Sequence, residues 1–117
     1  MDNYNVQRDH AEGPRDWVPV NFSEPLADGQ ATEVMIKERV IAVFRHEGEL
    51  FAMDGMCAHQ GGPVAEGHVE YGCVTCPWHG WQYELKTGIQ TINRQPLQET
   101  FQVRESGENV GTIEILI

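Results

Sequence analysis

The chain is short of basic charge, of cysteine and of long apolar runs, and each shortage excludes a class of function. It holds 8 Lys and Arg against 18 Asp and Glu, a formal net charge of −10. A nucleic-acid surface needs clustered Lys and Arg, so that class is set aside. The imbalance suits a soluble chain whose partner presents a basic face, because opposite charge speeds encounter. Plain solubility would account for it equally well. No segment reaches the roughly 20 apolar residues of a membrane helix. Met1 to Arg15 is polar and contains Asp2, Arg8, Asp9 and Glu12, which reads as neither signal peptide nor anchor. Three cysteines are too few, and odd in number, for a disulfide framework. These features together favour a reducing cytoplasm.

What is present is a small β protein. The 117 residues fit one domain, with no repeat or linker to mark a second. Residues 1–15 read as a flexible tail and 16–117 as a single domain. From Trp17 onward short apolar runs alternate with turn residues, the pattern of an all-β fold. The expected strands are Trp17–Phe22, Thr32–Lys37, Arg39–His46, Leu50–Met53, Glu70–Thr75, Trp81–Leu85, Thr100–Arg104 and Thr112–Leu116. His46-Glu47-Gly48-Glu49 and Lys86-Thr87-Gly88 are expected as turns, and Asn109 and Gly111 bracket the last strand. Helix evidence is confined to Pro25–Gln30, one helical turn ended by Asp28-Gly29. Between Met53 and Pro77 six glycines and prolines punctuate the chain, so loops should dominate there. Loops on a β scaffold are where sites are built.

That stretch holds Cys57-Ala58-His59 and ends on Cys76-Pro77-Trp78-His79. The spacing is C-x-H and C-x-x-H, so each half offers a thiolate and an imidazole. Thiolates suit iron–sulfur clusters or zinc, and imidazole suits either. A Cys2His2 zinc site stays open, although structural zinc sites more often use C-x-x-C and H-x-H pairs. So does a relic without metal. Single His or Cys residues are often simply packed or exposed, and Cys73, His10, His46 and His68 are read that way.

The chain resembles the Rieske family beyond those four residues. Cys57-Ala58-His59-Gln60-Gly61-Gly62 is similar to its first cluster loop, and Cys76-Pro77-Trp78-His79-Gly80-Trp81-Gln82-Tyr83 to its second. Leu85-Lys86-Thr87-Gly88 matches the turn that follows, and Pro96-Leu97 a proline-bearing loop that shields the cluster. The likeness runs from about Val18 to Ile115. It implies an antiparallel β-sandwich or barrel base with an inserted cluster-binding subdomain of two loops, about residues 54–84. It implies one Rieske-type 2Fe–2S cluster, with Cys57 and Cys76 on the buried iron and His59 and His79 on the outer one. Gly61, Gly62, Trp78, Gly80, Tyr83 and Pro96 would support the cluster. The glycines would let backbone approach the sulfides, Trp78 would shield and Trp81 would pack in the core.

Charge explains the histidines. Around an oxidised core, four thiolates leave a dianion, whereas two thiolates and two neutral imidazoles leave a neutral site that accepts an electron more readily. High-potential relatives add a disulfide between the loops and a serine hydroxyl on a sulfide. Those positions here resemble Gly62, Trp78 and Trp81, so a potential of about −200 to 0 mV is expected. The resemblance implies an electron-carrying ferredoxin between a reductase and an oxygenase or other terminal enzyme. The small subunit of a larger oxidoreductase, such as assimilatory nitrite reductase, is the alternative. A complete oxygenase is excluded, because no further domain with a 2-His-1-carboxylate iron site can be built from what remains.

Overall fold

The computed structural model describes residues 15–22, 24–106 and 111–117. Ten short strands among them form three antiparallel sheets. The first joins β1 (Trp17–Asn21) to β10 (Thr112–Leu116) and β10 to β9 (Val103–Glu105). The second is a meander of β2 (Ala31–Ile36), β3 (Arg39–His46) and β4 (Glu49–Asp54), closed by β8 (Thr100–Phe101). The third consists of β5 (His68–Glu70), β6 (Cys73–Thr75) and β7 (Gln82–Glu84). Among the described residues no helix is long and apolar enough to cross a membrane.

Strand β3 explains how the sheets pack. Ile41, Ala42, Val43 and Phe44 are all buried, and alternation sends them to opposite faces. Ile41 and Val43 join Ala52, Phe101, Ile113 and Ile115 in one core, between the first two sheets. Ala42 and Phe44 join Met53, Val64, Val74, Tyr83 and Leu85 in another, which also contains Cys57 and Cys76. Burying each large side chain stabilises the fold by about 1.5–3 kcal/mol, so β3 ties the third sheet to the frame through its second face. The residues of the candidate site all lie in the segment between β4 and β8. The two strands are neighbours, Met53 pairs with Thr100, and the Asp54 amide donates to the Glu99 carbonyl at 2.8 Å.

The strand expectations hold with ends shifted by at most one residue, except that two expected strands are divided. Arg39–His46 and Thr112–Leu116 keep their bounds. Glu70–Thr75 is not one strand: Tyr71 and Gly72 take φ of 55° and 75° and turn the chain back on itself. Thr100–Arg104 is divided at Gln102, where the chain passes from β4 to β10 as partner. Pro25–Gln30 is irregular and forms only a turn at Asp28-Gly29, while one 3-10 turn, Val64–Glu66, arises where loops alone were expected. The loop region also contains β5 and β6. The turn at Glu47-Gly48 has both residues at positive φ, the I′ form that matches strand twist. Residues 1–14, with His10, and Asn109 lie outside the described residues.

Candidate metal centre

The two cysteine–histidine segments fold into the same kind of turn. In the first, the Gly61 amide donates to the Cys57 carbonyl at 2.7 Å and the Cys57 amide to the Gly62 carbonyl at 2.8 Å. In the second, the Gly80 amide donates to the Cys76 carbonyl at 3.0 Å and the Cys76 amide to the Trp81 carbonyl at 2.7 Å. Gly61 and Gly80 sit at φ of 79° and 76°, which glycine reaches without strain. Each turn spans six residues closed by an antiparallel pair, Met56↔Pro63 for the first and Thr75↔Gln82 for the second.

Between the turns the four candidate ligands come together as two pairs. Cys57 and Cys76 are buried, and neither is in a disulfide. Burial pushes the Cys76 thiol up, and its neighbour Cys57 adds to this, while the backbone amides of Trp78 and His79 act the other way. Those amides therefore favour a negative sulfur. His59 and His79 are exposed, with ring centroids 4.9 Å apart at 77°. Two imidazoles on one metal at about 2.1 Å, in tetrahedral arrangement, have centroids about 5 Å apart. No three His, Cys, Asp or Glu groups among the described residues converge as for a single ion, and a centre with two metal positions does not require it.

The surroundings sort the supporting residues. A Cβ at Gly62 would lie 2.9 Å from the Cys76 sulfur and 2.9 Å from Cγ of Trp78, so this cradle excludes any larger side chain. The same contact shows that positions 62 and 78 face each other across the two turns. Close approach thus explains Gly62, whereas a Cβ at Gly80 would meet nothing within 4 Å and its positive φ is the reason for glycine. Trp78 covers this cradle with one face and leaves 56% of itself exposed. Trp81 does more than pack. It is half-buried against the Cys57–Cys76 core and stacks on His59, centroids 4.3 Å apart and planes 6° apart. The buried Tyr83 hydroxyl lies 3.0 Å from the Cys57 sulfur, and burial, then Cys57, pushes it well above the ordinary phenol range. Pro96 is exposed and pairs with Ile89; its neighbour Leu97 is the residue that packs on the cysteine core.

Sequence reasoning missed two glutamines. Gln98, 2% exposed, holds the first turn from outside. Its Nε2 donates to the carbonyls of Asp54 and Met56 at 2.8 and 2.7 Å, and its Oε1 accepts from the Ala58 amide at 3.0 Å. Gln60 places Oε1 2.6 Å from Nε2 of His79. Amides in loops give no sequence signal of such roles. The residues set aside stay apart from the site. Cys73 is half-buried in β6 with its thiol pushed up by burial and then by Glu84, His46 lies near Glu47, and His68 near Glu70.

Residues 16–103 match the family model of the Rieske [2Fe-2S] domain. The chain belongs to the Rieske family. Its Rieske domain is 36% identical over 73 residues to the anthranilate 1,2-dioxygenase ferredoxin subunit of Burkholderia cepacia, covering 62% of this chain and 68% of that one. It is 34% identical over 90 residues to the ferredoxin component of the alkene monooxygenase system of Xanthobacter autotrophicus, covering 76% and 70%. Against cholesterol 7-desaturase of Hemicentrotus pulcherrimus, 39% identical over 77 residues and 64% of this chain, it spans only 16% of the relative's length. The fold matches the carbazole 1,9a-dioxygenase ferredoxin of Nocardioides aromaticivorans IC177 with a TM-score of 0.71 at 19% identity, over 84% of this chain and 96% of that one. It also matches the small subunit assigned to an NADH-dependent nitrite reductase of Mycobacterium tuberculosis, TM-score 0.76 at 18% identity, over 88% and 96%. As a Rieske domain the chain carries a Rieske-type 2Fe–2S cluster. The donor set suits it: two thiols in a buried cradle lined by backbone amides, and two imidazoles at a spacing that one metal can bridge.

Proposed function

We propose that this protein is a Rieske ferredoxin that passes single electrons from a reductase to a terminal oxygenase, with Cys57 and Cys76 holding the inner iron and His59 and His79 the outer one. The observation that carries the reading is the polarity of the site. The cysteines are sealed in the core while the histidines open to solvent on the same pair of turns. Bound there, the cluster supplies a one-electron couple. The protein keeps water from the cysteine side through Trp78, Leu97 and Tyr83, and presents the imidazole pair as the point of entry and exit. Likeness to two ferredoxin components at 34–36% identity supports the carrier role. The chain itself acts as a carrier, not as a complete oxygenase, and it works in the cytoplasm. An acidic surface suits a basic partner face. Among the described residues Arg39, Arg45, Arg94 and Arg104 are each tied to a carboxylate of this chain, which leaves other acids uncompensated.

Anaerobic purification with visible spectroscopy and EPR of the reduced protein tests the assignment. A rhombic Rieske-type signal is expected; a colourless protein binding one equivalent of zinc overturns it. Gel filtration from native cells separates the carrier from the subunit alternative, which the nitrite reductase fold match keeps in view. A stable high-mass assembly would favour the subunit.

A further inference from the structure

The backbone hydrogen bonds of the two turns set them in register residue by residue. Cys57 corresponds to Cys76 and Gly61 to Gly80, as their matching carbonyl–amide bonds require. In that register His59 occupies the third place of the first turn and His79 the fourth place of the second. The fourth place of the first turn belongs to Gln60. Its amide oxygen closes on the ring of His79, at 2.6 Å from Nε2, with both side chains exposed.

We propose that Gln60 is a positioning residue for His79, tuning the centre by accepting a hydrogen bond from the outer ring nitrogen. The acceptor oxygen requires the proton on Nε2 and leaves Nδ1 unprotonated, as the nitrogen that would bind the metal. A hydrogen bond of this kind fixes ring orientation and makes the imidazole more electron-donating, which favours the oxidised centre and lowers the potential. His59 is held differently, by the Trp81 ring stacked on it. The two histidines of the pair are therefore inequivalent, although both are imidazoles on one iron. The proposal rests on the ligand assignment given above.

Gln60→Leu and Gln60→Glu separate tuning from bulk. Both alter an exposed residue, so folding should survive. At one fixed pH, Gln60→Leu should raise the midpoint potential, because the acceptor is gone. Gln60→Glu should lower it, because a carboxylate accepts more strongly. In pulsed EPR one of the two histidine nitrogen couplings should change and the other should stay. Equal potentials in all three proteins, or shifts of the same sign in both variants, overturn the role of Gln60 provided the Rieske signal is intact. A wild-type protein without that signal removes the ligand assignment itself, and the proposal falls by that separate route.

Discussion

The two cysteine–histidine turns share a geometry and differ in what supports it. The second is the natural end of a hairpin: Thr75 and Gln82 close it, and β6 and β7 continue away from it in a three-stranded sheet. The first has no such ladder, only the isolated bridge Met56↔Pro63. What replaces the ladder is a clamp from a distant loop. Gln98 takes three backbone groups, and Arg39 spans Glu99 at 2.8 Å and Asp54 at 3.5 Å while Asp54 also accepts from the Met56 amide. The backbone bonds from cysteine to glycine set the turn, and sheet or side chain can hold it in place.

The strongest test of the likeness lies at the cysteines. Cys57→Ala and Cys76→Ala should each give colourless protein, read from visible absorbance and iron content; colour retained in one alone would break the equivalence of the turns. His59→Cys and His79→Cys come next. Each adds a thiolate charge, so the potential should fall toward about −400 mV in protein-film voltammetry, and an unchanged potential would remove that histidine from the ligand set. The difference in support is tested by Gln98→Leu, which leaves two carbonyls and an amide unmatched. Denaturant melts should show a loss of about 3 kcal/mol. Gln82→Leu beside the second turn removes bonds to Thr75 and Thr91 yet should cost only about 1 kcal/mol, since the hairpin ladder remains. Equal losses would mean that both turns lean on side chains. The smallest effect belongs to Tyr83→Phe, which deletes the hydroxyl at the Cys57 sulfur. A slightly lower potential is expected, because a hydrogen bond to sulfur favours the reduced centre; a rise would contradict it.

The cysteines and histidines were legible because their residue types and intervals have few other uses. The strand at Arg39–His46 was equally plain, since a double-faced apolar run has to be buried. The divided strands were not. Glu70 to Thr75 contains no proline to divide it, yet the chain reverses at Tyr71-Gly72 so that Val69 faces Val74, and Phe101 and Val103 continue one alternation across Gln102 although the partner changes in between. Only tertiary pairing decides that. Gln98 escaped for a related reason: its contacts reach residues 40 to 44 positions away, and nothing local distinguishes it from Gln95 or Gln102. Trp81 looked like core material, and half of it is; the stacking on His59 depends on how the two turns meet.

The meeting of Asp54 and Glu99, joined amide to carbonyl at 2.8 Å, has a consequence for how such a chain can be rebuilt. Residues 55–98 leave the frame and return to it at adjacent points of one sheet, so a two-residue turn could join β4 to β8 without moving either. In backbone terms the segment that holds the candidate site is a cassette. In side-chain terms it is half of an interior, because Ala42, Phe44 and Met53 would then face water. Transplanting the cassette into another sheet therefore asks for two things only: neighbouring strand ends, and an apolar face waiting beneath them.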